Sequence, residues 1–106
     1  MTDGARAGAY VVTSELSVPT GGEAALETAF RNRLRAVDTH PGFIALEVWR
    51  DGRAEGRYLL VSWWRSGADY RTYMHSKEHR DSHARVPAGL YGPTAVAVRR
   101  YEVVTQ

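Results

Sequence analysis

The run Trp64-Arg65-Ser66-Gly67-Ala68-Asp69-Tyr70-Arg71-Thr72-Tyr73-Met74-His75-Ser76-Lys77-Glu78-His79-Arg80-Asp81-Ser82-His83 decides how the chain is read. It continues from Tyr58 to Trp64, a segment rich in aromatic and β-branched residues, which favour a strand. Ser66 can cap a helix, because its hydroxyl accepts a hydrogen bond from a free first-turn N–H. A short helix is expected from there through about Tyr73. Ser76 offers a second cap, with Glu78 in a first turn where the helix dipole favours an acid. That second helix is expected to reach about Arg85 and to carry His83 near its end.

Working outward, Tyr10 to Val18 reads as a strand. Tyr10, Val12, Ser14, Leu16 and Val18 share one face by the two-residue period, and Val11, Thr13 and Glu15 share the other. Pro19-Thr20-Gly21-Gly22 ends it. Helical spacing of Leu26, Ala29, Phe30, Arg33, Leu34 and Val37 predicts an amphipathic helix from about Glu23 to Val37, with Glu27, Arg31 and Arg35 facing water. His40-Pro41-Gly42 turns the chain into a strand from Phe43 to Arg50. Asp51-Gly52 with Gly56 signals a hairpin into the Tyr58–Trp64 strand. Downstream, Val86 to Pro93 reads as a loop and Thr94 to Val104 as a final strand. Met1 to Gly8 is expected to be a mobile tail, with one domain over 9–106.

The order strand, helix, strand, strand, helices, strand predicts an α+β, ferredoxin-like plait with an antiparallel sheet. Its helices cover one face. The other face is apolar, and its exposure costs about 25 cal/mol per Å². A second copy would cover it, so a homodimer is expected.

With 106 residues the chain fits one domain. Its net charge of +2 comes from interspersed acids and bases, which argues against a nucleic-acid surface. There is no cysteine, which excludes disulfides and thiolate metal sites. No stretch approaches the ~20 apolar residues of a membrane helix. A soluble, cytoplasmic protein with no membrane contact is expected. His75, His79 and His83 recur every four residues, about 6 Å apart along a helix axis, so the three cannot converge on one ion.

Pro41-Gly42-Phe43, Trp64, Ser66, Tyr73, Ser76 and His83 together resemble the antibiotic biosynthesis monooxygenase superfamily, along a stretch from Tyr10 to Val104. The resemblance implies a dimeric α+β barrel, with a ligand pocket between each sheet and its helices. One branch degrades haem. It implies His83 as axial ligand to haem iron, about ten residues after the pocket aromatic Tyr73. Arg80 and Arg85 flank His83 and could meet haem propionates or an acidic substrate. Ser14 stands where that branch has an Asn that hydrogen-bonds the ligand on iron. Tyr73 stands where it has a Trp that distorts the macrocycle. The two departures bear on haem cleavage more than on haem binding.

A second branch needs no cofactor and oxidises polycyclic phenols to quinones in antibiotic biosynthesis. It resembles this chain at Trp64-Arg65-Ser66, at Tyr70 and at Gly89-Leu90-Tyr91-Gly92-Pro93, but Leu60 stands where it has an Asn. Such chemistry needs a base, a hydrogen-bonding cavity and exclusion of water. Tyr70, Tyr73, Arg80 and His83 could supply the polar groups. Trp64 and Tyr73 are expected in the substrate pocket, and one of Trp63 and Trp64 is expected to anchor helix to sheet. The resemblance thus implies a monooxygenase acting on or with a flat aromatic ligand. The leading form binds haem through His83, the alternative uses no cofactor, and a further alternative is a non-catalytic binding or dimerisation module.

Overall fold

Alternation along the first strand divides its side chains between two environments, and that division organises the sheet. A computed structural model of the chain describes residues 7–32, 36–77 and 94–105. Its elements are β1 (Tyr10–Ser17), α1 (Glu23–Arg31), a 3-10 turn (Ala36–Thr39), β2 (Phe43–Arg50), β3 (Arg57–Trp64), α2 (Gly67–Met74) and β4 (Thr94–Glu102). The strands form one antiparallel sheet in the order β2-β3-β1-β4. This is the expected α+β, ferredoxin-like plait.

One side of the sheet faces the helices. Val12 of β1 and Trp64 of β3 pack there with Val37 and with Tyr70 and Tyr73 of α2. Nearer the other end, Leu16, Val18 and Tyr58 enclose Leu26 of α1. The opposite side carries Val11, Thr13, Val61, Trp63, Trp49 and Tyr101 by register. Trp49 is 46% exposed and Tyr101 50%, so an apolar patch remains in contact with water.

Local chemistry explains the joints. Ser66 Oγ accepts from the Asp69 N–H at 3.1 Å and donates to the Asp69 carboxylate at 3.1 Å, which fixes the start of α2. Gly42, at φ +84°, lies against the Asp69 side chain, and any Cβ there would collide with it. The Gly42 carbonyl accepts from Arg65 N–H at 2.8 Å. The turn before β2 and the start of α2 are therefore one joint. In the hairpin, Asp51 Oδ1 accepts from the N–H groups of Arg53 and Ala54 at 2.8 and 3.2 Å. These bonds hold the Asp51 carboxyl below its ordinary range.

Two expectations are corrected. The first helix ends at Arg31 rather than Val37. Asn32 closes it, donating its backbone N–H to Thr28 O at 3.0 Å. Val37 fits the helical period yet reaches the core from the separate 3-10 turn, 5% exposed. Glu27, expected to face water, instead ties α1 to the sheet. Its Oε2 accepts from Tyr58 Oη at 2.6 Å and from Arg50 Nη2 at 2.7 Å. The helix expected from Ser76 to Arg85 falls outside the described residues from position 78 onward, as does the Val86–Pro93 loop. Positions 1–6 of the expected tail also lie outside them, while Gly8 N–H donates to Val103 O at 2.8 Å.

The Tyr58 and Arg50 hydrogen bonds hold the Glu27 carboxyl below its ordinary value. A depressed folded pKa means stability that is present above the unfolded pKa and is lost as pH falls through the folded one. Denaturant midpoints measured downward from neutral pH should therefore fall less steeply in Glu27→Gln than in the parent below about pH 4. Parallel curves would remove Glu27 as a source of the pH dependence.

Candidate functional site

The sequence signals converge where β3 meets α2. Trp64 is 1% exposed, and its indole N–H donates to Ser62 Oγ at 2.9 Å, so its one polar atom is satisfied in the core. Tyr70 and Tyr73, three residues apart on α2, lie on one helix face toward it. Their ring centroids are 5.7 and 5.3 Å from the indole. Phe43 meets Trp64 edge-on at 5.4 Å. His40 stands edge-on to Tyr73 at 5.2 Å and to Trp64 at 6.3 Å. Trp64 is thus the support behind two tyrosines that form the helix side of the junction.

Ser14 lies on the helix-facing side of β1, between its register partners Leu60 and Val98, and is partly buried. Tyr70 is 8% exposed. Burial pushes its phenol pKa up, so the hydroxyl stays a hydrogen-bond donor at neutral pH, and the nearby Arg100 guanidinium opposes that push. Among the described residues, no hydrogen bond ends on this hydroxyl. A buried phenol without a partner is uncommon and costly. Ser76 Oγ donates to Tyr73 O at 2.6 Å, closing the end of α2. His75 is the exposed C-cap residue. His83, Arg80, His79 and Arg85 lie outside the described residues.

The arrangement joins Tyr70 and Tyr73 to Trp64 and leaves Ser14 across the same side of the sheet. Three residues near it carried no functional reading in the sequence: Tyr10, His40 and Arg100. Tyr10 shares the parity of Ser14, so its side was legible. His40 belongs to a turn, where periodicity carries no information. Arg100 is placed only by the β1–β4 register. Among the described residues, no group of three or more His, Cys, Asp or Glu could hold a metal ion, and no helix is long and apolar enough to cross a membrane.

The other side of the sheet bears a shallow depression of about 520 Å³ lined by Thr13, Glu15, Trp49, Leu59, Arg99 and Tyr101 among others. Glu15 sits there between Arg57 and Arg99, at 3.7 and 3.1 Å. The sheet separates it from the aromatic junction, and among the described residues no motif residue lines it. We therefore take the junction as the candidate site.

The chain is similar to known proteins over most of its length. The profile of the antibiotic biosynthesis monooxygenase family matches residues 9–85. A mycobilin-producing haem oxygenase of Mycobacterium tuberculosis is 32% identical over 63 residues, covering 59% of this chain and 60% of that protein. The match thus spans less than two thirds of that relative's length. The structure of the haem-degrader MhuD from Mycobacterium tuberculosis, with two haems bound in its active site, superimposes with a TM-score of 0.75 and 28% identity. It covers 92% of this chain and 97% of that one. SnoaB, a cofactor-independent oxygenase from Streptomyces nogalater, shares the fold with a TM-score of 0.69 at 13% identity, covering 94% of this chain and 97% of its own. The β3–α2 joint built on Trp64, Ser66 and Gly42 lies inside the matched span, and the chain belongs to the antibiotic biosynthesis monooxygenase family.

Proposed function

We propose that this protein is a haem-binding monooxygenase whose ligand lies between α2 and the helix-facing side of the sheet. The observation that carries the reading is the likeness, along 92% of the chain, to a haem-degrader with haem in its active site. The residues present fit a flat macrocycle. Tyr70 and Tyr73, each 8% exposed, give α2 a rigid aromatic backing on Trp64, and Tyr70 keeps a buried hydroxyl with no partner among the described residues. When bound, haem supplies the iron that activates dioxygen and the ring that is oxidised. His83 would hold the iron, since a neutral imidazole suits it. Arg80 is the proposed partner for propionate carboxylates. Ser14 offers a short hydroxyl where an amide would reach further. Tyr73 presents a smaller ring than an indole. Both choices favour holding the ligand over distorting it.

A second reading is favoured by Tyr70. Its hydroxyl, without a partner among the described residues and among aromatic rings, could orient a polycyclic phenol for cofactor-free oxidation. There Tyr70 and Tyr73 would hold the substrate oxygen, and His83 would take its proton.

The proposal includes a homodimer. The side of the sheet away from the helices exposes Trp49 and Tyr101 beside Leu59 and Trp63, and a second copy would remove this surface from water. Glu15 on that side is already paired within the chain, with Arg57 and Arg99.

Haemin titration followed at the Soret band should show one saturable shift. His83→Ala should abolish it, and His75→Ala should leave it nearly unchanged. Equal loss from both would mean nonspecific capture by histidines. Light scattering should give about twice the 11.8 kDa chain mass at micromolar concentration. A well-folded monomer would contradict the dimer.

A further inference from the structure

Arg100 stands opposite Val12 in the β1–β4 register. Val12 is buried with Trp64, Tyr70 and Tyr73, so the pairing puts Arg100 on the helix-facing side of an edge strand. It is exposed, and among the described residues no ion pair ends on it. By contrast, Arg31 and Arg50 meet Glu27, and Arg57 and Arg99 meet Glu15. Glu102 shares this side as the register partner of Tyr10 and makes no ion pair with Arg100. Val98, two residues before Arg100 on the same side, is 48% exposed. This part of the sheet is therefore open, beside the aromatic junction.

Two phenols border the opening. The Tyr10 and Tyr70 rings lie 6.0 Å apart. Tyr10 also abuts the first turn of α2, where a Cβ on Gly67 would come within 3.1 Å of Tyr10 Cε1. Among the described residues, neither hydroxyl has a hydrogen-bond partner. The guanidinium is near enough to Tyr70 to act on its titration, as is the Tyr10 phenol. The corner therefore holds one fixed cation and two O–H donors, with no paired acid. A carboxylate is the complementary group, because it accepts from all three and gains charge assistance from the arginine.

We propose that Arg100, with the hydroxyls of Tyr10 and Tyr70, forms an anion-binding corner that holds a carboxylate of the flat aromatic ligand. This rests on the reading that such a ligand lies on this side of the sheet, and it extends that reading to the ligand's charge. Arg100 acts as a specificity-determining residue, selecting acids over their neutral esters. Tyr10 and Tyr70 donate their hydroxyls to the same carboxylate.

The full-length protein is titrated with two probe pairs. One pair is haemin and its dimethyl ester, read at the Soret band. The other is anthracene-2-carboxylate and its methyl ester, read by fluorescence. In each pair the acid should bind about tenfold more tightly than the ester. Arg100→Gln should abolish that preference without changing ester affinity, and Arg100→Lys should restore part of it. Tyr70→Phe, which keeps the ring, should reduce the preference. Circular dichroism and the Tm of each variant should match the parent. No preference for either acid, or a preference that survives Arg100→Gln, overturns the proposal. If haemin fails to bind while the anthracene acid discriminates, the haem reading falls and the anion corner stands.

Discussion

Trp64 closes β3 with its indole buried, and Phe43, His40, Tyr70 and Tyr73 all take position against it. A large rigid ring with one donor can sit in a core only if that donor is paired, and Ser62 provides the acceptor. The candidate site is therefore an extension of the core. Tyr70 and Tyr73 are buried in that core, so their rings do not have to be ordered when a ligand binds beside them. The same logic explains the turn before β2. Gly42 has no side chain because Asp69 fills the space, and Asp69 is there because it completes the Ser66 cap. A motif that looks like two separate signals in the chain is one packed joint.

The sheet separates two kinds of chemistry. Its helix-facing side carries aromatic rings, Ser14 and Arg100, on which no ion pair ends among the described residues. Its other side carries Trp49, Tyr101 and the Glu15 charge cluster. Strand alternation makes this possible in a small chain, since neighbouring residues serve opposite sides. Val98 and Arg100 lie on one side and Arg99 and Tyr101 on the other.

The sheet was the most legible part. Alternation assigned the two faces of β1 correctly, and composition marked β2 and β3. The Ser66 cap was legible because a serine before a helical run has few other uses. Periodicity misled at Val37, whose spacing matched a helix although a 3-10 turn delivers it to the core. It misled again at Glu27, whose partners Tyr58 and Arg50 are more than twenty positions away. Arg100 escaped for the same reason, because its neighbours come from β1 and α2. His40 gained its ring contacts from a turn, which no periodic pattern describes. Part of the candidate site was legible only through family resemblance: His83 and Arg80 were named that way, and both lie outside the described residues.

The two readings proposed for this chain differ in the molecule that is oxidised. The protein is incubated under ¹⁸O₂ with haemin, ascorbate and catalase, and in parallel with the phenol dithranol without reductant. Products are read by mass spectrometry. The account predicts a ring-oxidised tetrapyrrole carrying ¹⁸O, formed only with protein present, and dithranol no more labelled than in a protein-free control. Intact haem, together with protein-dependent label in the dithranol product, would contradict it.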